Sequence, residues 1–253
     1  MKIISKNIEH NGVCYPGANR KFGVVIDGTN YMLKIAESDE ERLGICSEIL
    51  GTFLCHNQLN LITSELQLVI YDGKLSLLSK NWDLRETDQF FPLSSYFEEL
   101  IDELNGKVSY SYDLFKSIVM NKCPHNYDYV LNSFWILHIV DYLICNTRSA
   151  GNIGFFHGKE IVLAPIYDCE TRLINTKDQS YKDTNYPSLH MDFGLDENSC
   201  YYIFKELNDA NKDYALEYAR KHLNIAGIKL ESGVKEENYM RDVISYRYEK
   251  LFK

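Results

Sequence analysis

Four residues in this 253-residue chain have types and settings that suit the handling of a phosphate. Lys34 ends the run Tyr31-Met32-Leu33-Lys34, where a strand would aim its ammonium into a cleft. Glu48 lies inside Ile45-Cys46-Ser47-Glu48-Ile49-Leu50. A carboxylate in so apolar a stretch needs a partner, and Lys34 is the obvious one. Asp168 follows Leu163-Ala164-Pro165-Ile166-Tyr167, an apolar run read as a strand. There it could hold Mg²⁺, a hard cation that prefers carboxylate oxygens and keeps several waters. Asn152 opens the hairpin before that segment, and its amide oxygen could complete the site. Phosphoryl transfer needs little else: a cation on the phosphates, a carboxylate orienting it, metal ligands, and a group positioning the acceptor hydroxyl. Taken singly, the four have plainer readings as a solvated strand-end lysine, an exposed helix-face glutamate and two turn residues.

The elements that must position them are three hairpins and a set of helices. Residues 21–35 form an apolar, β-rich run broken by Asp27-Gly28, a dipeptide that tolerates the positive φ of a tight primed turn. Residues 66–79 repeat the pattern around Asp72-Gly73, and residues 152–164 do so around His157-Gly158-Lys159. Between the first two, Leu43, Cys46, Leu50 and Phe53 share one face of a helix expected over 39–56, with Asp39, Glu40 and Glu41 at the positive end of its dipole. Ser95-x-x-Glu98 is a capping-box signal before another helix, which Asn105-Gly106 ends. Helices are further expected over 113–120, 127–145, 201–222 and from 236 to the end, with a polar loop over 175–198. Sheet first and helices afterwards read as α+β with two lobes, divided between residues 79 and 92.

The segment 146–156, followed by Leu163-Ala164-Pro165-Ile166-Tyr167-Asp168-Cys169, resembles the HipA family of bacterial serine/threonine kinases. It is most similar to the compact CtkA-like members, which lack the extra N-terminal domain of full-length HipA. In that family the catalytic loop reads roughly N-x-D-R-H-x-x-N-x-G-F, and the metal aspartate sits in P-x-[YF]-D-C. Tyr15-Pro16-Gly17-Ala18-Asn19 resembles the family's glycine-containing phosphate loop. The resemblance follows the element order of nearly the whole chain, while its specific motifs occupy a small part of it. It implies a two-lobed, protein-kinase-like α+β fold of HipA type, with a small sheet-rich N-lobe over residues 1–85 and a larger helical C-lobe over 86–253. It also implies ATP and Mg²⁺ as cofactors. Gly17, Ala18 and Asn19 would lie over the phosphates, Lys34 would bind them, and Glu48 would pair with Lys34. Residues 78–82, Lys80 among them, would form the hinge against the adenine, read mainly through backbone groups. Asn152 and Asp168 would be the metal ligands.

One position departs from the family. Counting back from Asn152, the catalytic aspartate falls on Thr147 and the histidine on Ser149; counting forward from Asp141, the loop is one residue short and the aspartate is deleted. Either way no carboxylate holds the base position, which Thr147 and Arg148 occupy. A positioned base contributes about 10²–10⁴ in rate, whereas nucleotide binding rests on other residues. The resemblance therefore implies phosphoryl transfer to Ser/Thr of a protein, with impaired or altered chemistry. Family members often pair with an antitoxin, so an antitoxin-like protein partner is implied too. Two other readings stand beside it: a pseudokinase that binds nucleotide and regulates a protein, and a kinase-fold enzyme acting on a small molecule.

A formal charge of −9 argues against a protein built mainly to bind nucleic acid. Seven cysteines without a C-x-x-C pair read as reduced thiols in a cytoplasmic protein, each a small buried hydrophobe, and no zinc site is suggested. The first residues, Met1-Lys2-Ile3-Ile4-Ser5, show no signal-peptide core. The most apolar stretch, 127–145, contains Asn132, His138 and Asp141 and reads as a buried core helix, so no membrane span is expected. Asp192-Phe193-Gly194 spells a eukaryotic kinase metal tripeptide but follows no strand, and reads as loop. His138 and Asp141, three apart on the buried helix, read as a core pair bracing the catalytic loop. Ser180, Thr184 and Ser188 lie where an activation segment would, and read as loop serines and threonine.

Overall fold

Two Asp-Gly pairs turn the chain at the centre of the sheet. Asp27, Gly28, Asp72 and Gly73 have φ of 51°, 77°, 52° and 74°, the left-handed backbone that a two-residue primed turn requires at both positions. They join β3 (Arg20–Ile26) to β4 (Thr29–Ile35) and β5 (Leu66–Tyr71) to β6 (Lys74–Lys80). The computed structural model describes residues 2–4, 8–15, 20–59, 61–82, 89–96, 112–146, 150–169, 197–209 and 236–251. Two strands that lack a hairpin signal complete the sheet, β1 (Lys2–Ile4) and β2 (Glu9–Cys14). The order is β1-β5-β6-β4-β3-β2, antiparallel throughout except for β1, which runs parallel to β5. An irregularity between His10 and Cys14 interrupts the β2–β3 ladder, and Gly12 inside it takes φ 77°.

The sheet has apolar residues on both faces, and strand alternation separates them. Leu33 and Ile35 join Val24, Val69 and Leu78 in a small cluster on one face. Leu68, Leu75 and Leu77 belong to the main core on the other. Helix α1 (Asp39–Phe53) packs on that second face. Its start is fixed by a capping box: Ser38 Oγ accepts from the Glu41 N–H at 3.2 Å, and the Glu41 carboxylate accepts from the Ser38 N–H at 3.2 Å. From Ile45 to Phe53 every residue of α1 is buried. The helix closes in a π turn over Leu54–Gln58.

Past residue 89 a three-stranded antiparallel sheet, β7 (Gln89–Pro92), β8 (Gly154–His157) and β9 (Ile161–Leu163), lies among four described helices. These are α2 (Tyr112–Lys122), α3 (Tyr127–Leu143), α4 (Glu197–Asp209) and α5 (Glu236–Leu251). Helix α3 packs against α2, α4 and α5, and a stacked Phe115–Phe134 pair 3.8 Å apart joins it to α2. The main core is continuous from α1 through these helices. The helical turn at 93–96 begins ahead of Ser95, the residue expected to cap it, and its first N–H, of Leu93, still bonds the Ile153 carbonyl at 2.7 Å as the next rung of the β7–β8 pairing. Residues 97–104, most of 175–198, Asp192-Phe193-Gly194 and Ser180, Thr184 and Ser188 lie outside the described residues.

Six of the cysteine side chains are described, all free thiols. Five are buried, and burial pushes Cys46 up to about 12 and Cys123 to about 11, which keeps both protonated. Cys14 is exposed on the edge strand β2, contrary to the expectation that every cysteine is buried. No described helix is long and apolar enough to cross a membrane.

Candidate active site

Lys34 sits between Leu33 and Ile35, so alternation alone sends its side chain to the face that α1 covers. There Nζ meets Glu48 Oε2 at 3.0 Å, with the two side chains 4% and 6% exposed. Two buried charges are tolerable only as such a pair. The capping box fixes the start of α1 and, through it, where Glu48 falls along the helix.

One turn beyond Glu48, α1 carries Gly51. A Cβ there would lie 1.8 Å from the carbonyl oxygen of Cys169. Helix α1 therefore rests directly on the backbone after Asp168, with no side chain between them. The run leading to Asp168 is not the continuous strand expected from its sequence: β9 ends at Leu163, and Pro165 cannot donate to a ladder. Pairing resumes at one point, where Ile166 bridges Thr63 in parallel through Ile166 N–H to Ile62 O at 2.8 Å and Ser64 N–H to Ile166 O at 2.9 Å. Asp168 then takes φ 55°. Apart from the two hairpin aspartates, the described non-glycine residues with positive φ are Asp168 and Cys145, one on each side of the candidate site. Strained backbone of this kind persists where surrounding contacts over-determine it.

The structure brings Asn152 and Asp168 together: the Asn152 amide nitrogen donates to Asp168 Oδ2. One carboxylate and one amide oxygen suit a hard cation such as Mg²⁺, which completes its shell with water and phosphate oxygens. Asn152 is held by a single 3-10 turn, Ala150–Asn152.

The loop between α3 and that turn is anchored at its start. Asn146 donates its side-chain amide to Asp141 Oδ1 at 2.7 Å and its backbone N–H to the Asp141 carbonyl at 2.8 Å. Asp141 is fully buried and Asn146 nearly so, so Asp141 braces the loop and does not stand at its surface as a base. His138, one turn earlier, is buried too, and burial lowers it to about 4, which keeps the ring neutral. From α5, the fully buried Arg247 donates Nε–H to the Tyr142 carbonyl at 2.5 Å, with its guanidinium 3.9 Å from the Tyr142 ring centroid. A cation at the carboxyl end of α3 also complements the helix dipole. Thr147, Arg148 and Ser149 lie outside the described residues.

Gly17, Ala18 and Asn19 lie outside them as well, but the residue before their loop is placed. Tyr15 donates its hydroxyl to Asn81 Oδ1 at 2.9 Å, tying the end of β2 to the segment after β6. In the expected hinge, Lys80 N–H bonds the Glu65 carbonyl at 3.0 Å and Asn81 N–H bonds the Asn30 carbonyl at 2.9 Å. Both N–H groups are therefore engaged within the protein. The Lys80 ammonium reaches Glu65 Oε1 at 3.4 Å. Trp82 packs against Phe90, Phe156 and Tyr167, and its indole N–H is buried without a hydrogen-bond partner among the described residues. Tyr15, Asn81 and Tyr167 stand in segments that the sequence points to, but their partners do not follow from it, and Gly51 and Arg247 carry no sequence signal at all. Each acts through a contact distant along the chain, which no local pattern announces.

No protein-family model matches the chain, and no curated protein matches it. Solved structures do. The Helicobacter pylori proinflammatory kinase CtkA aligns over 98% of this chain and 95% of its own, with a TM-score of 0.68 and 18% identity. HipA of Shewanella oneidensis MR-1, solved as a toxin–antitoxin system with HipB and operator DNA, aligns over 96% of this chain and 65% of its own, with a TM-score of 0.59 and 10% identity. The α+β architecture, with Lys34 and Glu48 joined beneath the sheet and Asn152 and Asp168 beside α1, is thus the HipA-type kinase fold.

Proposed function

We propose that this chain binds ATP with Mg²⁺ and acts by phosphoryl transfer to Ser or Thr of a protein, with chemistry impaired or altered by the missing catalytic aspartate, as a toxin–antitoxin component whose substrate or partner is an antitoxin-like protein. The observation that carries the reading is the buried pair of Lys34 on β4 with Glu48 on α1, the helix whose Gly51 touches the segment bearing Asp168. Bound Mg²⁺ would neutralise charge on the phosphates and hold them for in-line attack. Lys34 offers a cation to the phosphates, and Glu48 holds its orientation. Asn152 and Asp168 supply oxygens to the metal. By the sequence resemblance, Gly17, Ala18 and Asn19 would cover the phosphates, and residues 78–82, Lys80 among them, would meet the base. The reduced thiols fit a cytoplasmic setting.

A second reading has its own support. Thr147 and Arg148 occupy the base position, and the nearby Asp141 is buried and engaged with Asn146. A pseudokinase that binds Mg-ATP and regulates a protein partner accommodates that assignment and the burial of Asp141.

The experiment is Mg-ATP titration by calorimetry with label transfer from γ-labelled ATP, on wild type and Asp168→Ala. Binding and transfer in wild type, both lost in the variant, support the kinase. Binding without transfer supports the pseudokinase. Absence of nucleotide binding by wild type overturns both readings.

A further inference from the structure

Tyr167 is the residue before Asp168, and Gly151 is the residue before Asn152. The Tyr167 hydroxyl donates to the Gly151 carbonyl oxygen at 2.6 Å, at the short end for such a bond. The positions just ahead of the two candidate metal ligands are thus tied to each other. With the Asn152–Asp168 contact they form a closed ring: Gly151, Asn152, Asp168, Tyr167 and back to Gly151.

The anchor of this ring is firm although its segments are not regular. Tyr167 meets the Trp82 ring at 5.3 Å and 64°, and the Phe90 ring at 6.2 Å and 70°. Trp82 also packs on Phe156, so the platform joins the end of the large sheet to β7 and β8. By contrast, Asn152 belongs to one 3-10 turn, and Asp168 follows a single-residue bridge with φ 55°. Neither ligand is set by a ladder of its own. A small cation that demands near-ideal octahedral oxygens at about 2.0–2.1 Å tolerates little drift between two such segments.

We propose that the Tyr167 hydroxyl is a positioning group, bonded to the Gly151 carbonyl to set the separation of the Asn152 and Asp168 side chains for a divalent cation. This rests on the assignment of those two residues as metal ligands. Groups that orient metal ligands typically contribute about 10- to 100-fold to metal affinity.

Tyr167→Phe removes the hydroxyl and keeps the ring against Trp82. Tyr96→Phe is the control, since the Tyr96 hydroxyl bonds His157 outside the site. Calorimetry of ADP binding to the full chain, in EDTA and across a Mg²⁺ series, reads the effect without turnover. In wild type, Mg²⁺ strengthens ADP binding. In Tyr167→Phe the Mg²⁺ concentration needed rises about tenfold, while binding in EDTA and the Mg²⁺ dependence of Tyr96→Phe stay as in wild type. A wild-type Mg²⁺ dependence in Tyr167→Phe overturns the proposal and leaves the metal assignment standing. Equal weakening in EDTA, or an equal loss in Tyr96→Phe, makes the hydroxyl a general packing group and also overturns it. If wild-type binding ignores Mg²⁺, the ligand assignment itself is wrong and the proposal falls with it.

Discussion

Lys34 and Glu48 stand in regular structure, whereas Asn152 and Asp168 stand in turns, and the two pairs are held by different physics. In the first pair, β4 lies between β3 and β6 and its alternation dictates where Lys34 points, while a capped helix dictates where Glu48 falls. In the second, direction comes from single long-range ties: the Ile166 bridge, the Tyr167 hydroxyl on Gly151, and the Cys169 carbonyl against Gly51. Changing a side chain in the first region therefore acts on stability. In the second it acts on geometry, with less effect on the fold.

The largest expected effect follows from the first region. Glu48→Ala leaves the Lys34 ammonium buried without its carboxylate, at about 3–5 kcal/mol of stability. The double variant Lys34→Met with Glu48→Leu removes both charges and should recover most of that loss in urea denaturation, although nucleotide binding stays lost. Asp168→Ala, at a partly exposed turn, should cost less stability than Glu48→Ala while removing the Mg²⁺ effect. Equal destabilisation by Glu48→Ala and Asp168→Ala would break the contrast between the regions.

Next in size is a pH effect in the helix that leads into the second region. His138 is held neutral by burial, with its value lowered from 6.5 to about 4. Between those values the unfolded chain takes up a proton that folded His138 refuses, so stability falls as pH falls. The contribution is fully present above pH 6.5 and is lost by about pH 4. A shift from 6.5 to about 4 corresponds to about 3 kcal/mol. Carboxylates titrate in the same window, so the measurement is the difference between wild type and His138→Gln at pH 7 and at pH 4.5. A difference that stays constant between the two would show that His138 is not buried neutral.

The same contrast explains what the sequence made legible. Asp27-Gly28 and Asp72-Gly73 announce their hairpins because the turn needs those residue types, and residues 39–53 announce a helix through spacing and an acidic first turn. Strand β2, Glu-His-Asn-Gly-Val-Cys, is polar and exposed at an edge and carries no alternation to read. Strand β1 has three residues and depends on β5 for its pairing. Lys34 and Glu48 could be paired in advance because a buried charge in an apolar run calls for its opposite. Asp168 could be suspected, but the strand expected before it gives way at Pro165. What replaces that strand depends on residues 62–64, about a hundred positions away.

The smallest expected effect is at the contact between the regions. Gly51→Ala introduces a Cβ whose ideal position is 1.8 Å from the Cys169 carbonyl oxygen and 2.9 Å from its carbon. Alanine in a helix interior is favoured over glycine by about 1 kcal/mol, whereas overpacking a core costs about 1–3 kcal/mol. The obstacle is backbone, which cannot rotate aside as a side chain would, so the overpacking term should win. A net loss of up to about 2 kcal/mol is expected in urea denaturation. Helix α1 can relieve the contact only by moving off the segment that carries Asp168, and it takes Glu48 with it. Mg-ATP affinity should therefore fall by more than the loss of folded protein explains. If Gly51→Ala is instead more stable than wild type and binds Mg-ATP normally, helix propensity has won. The two regions would then not be seated backbone to backbone, and the Lys34–Glu48 pair would be positioned independently of Asp168.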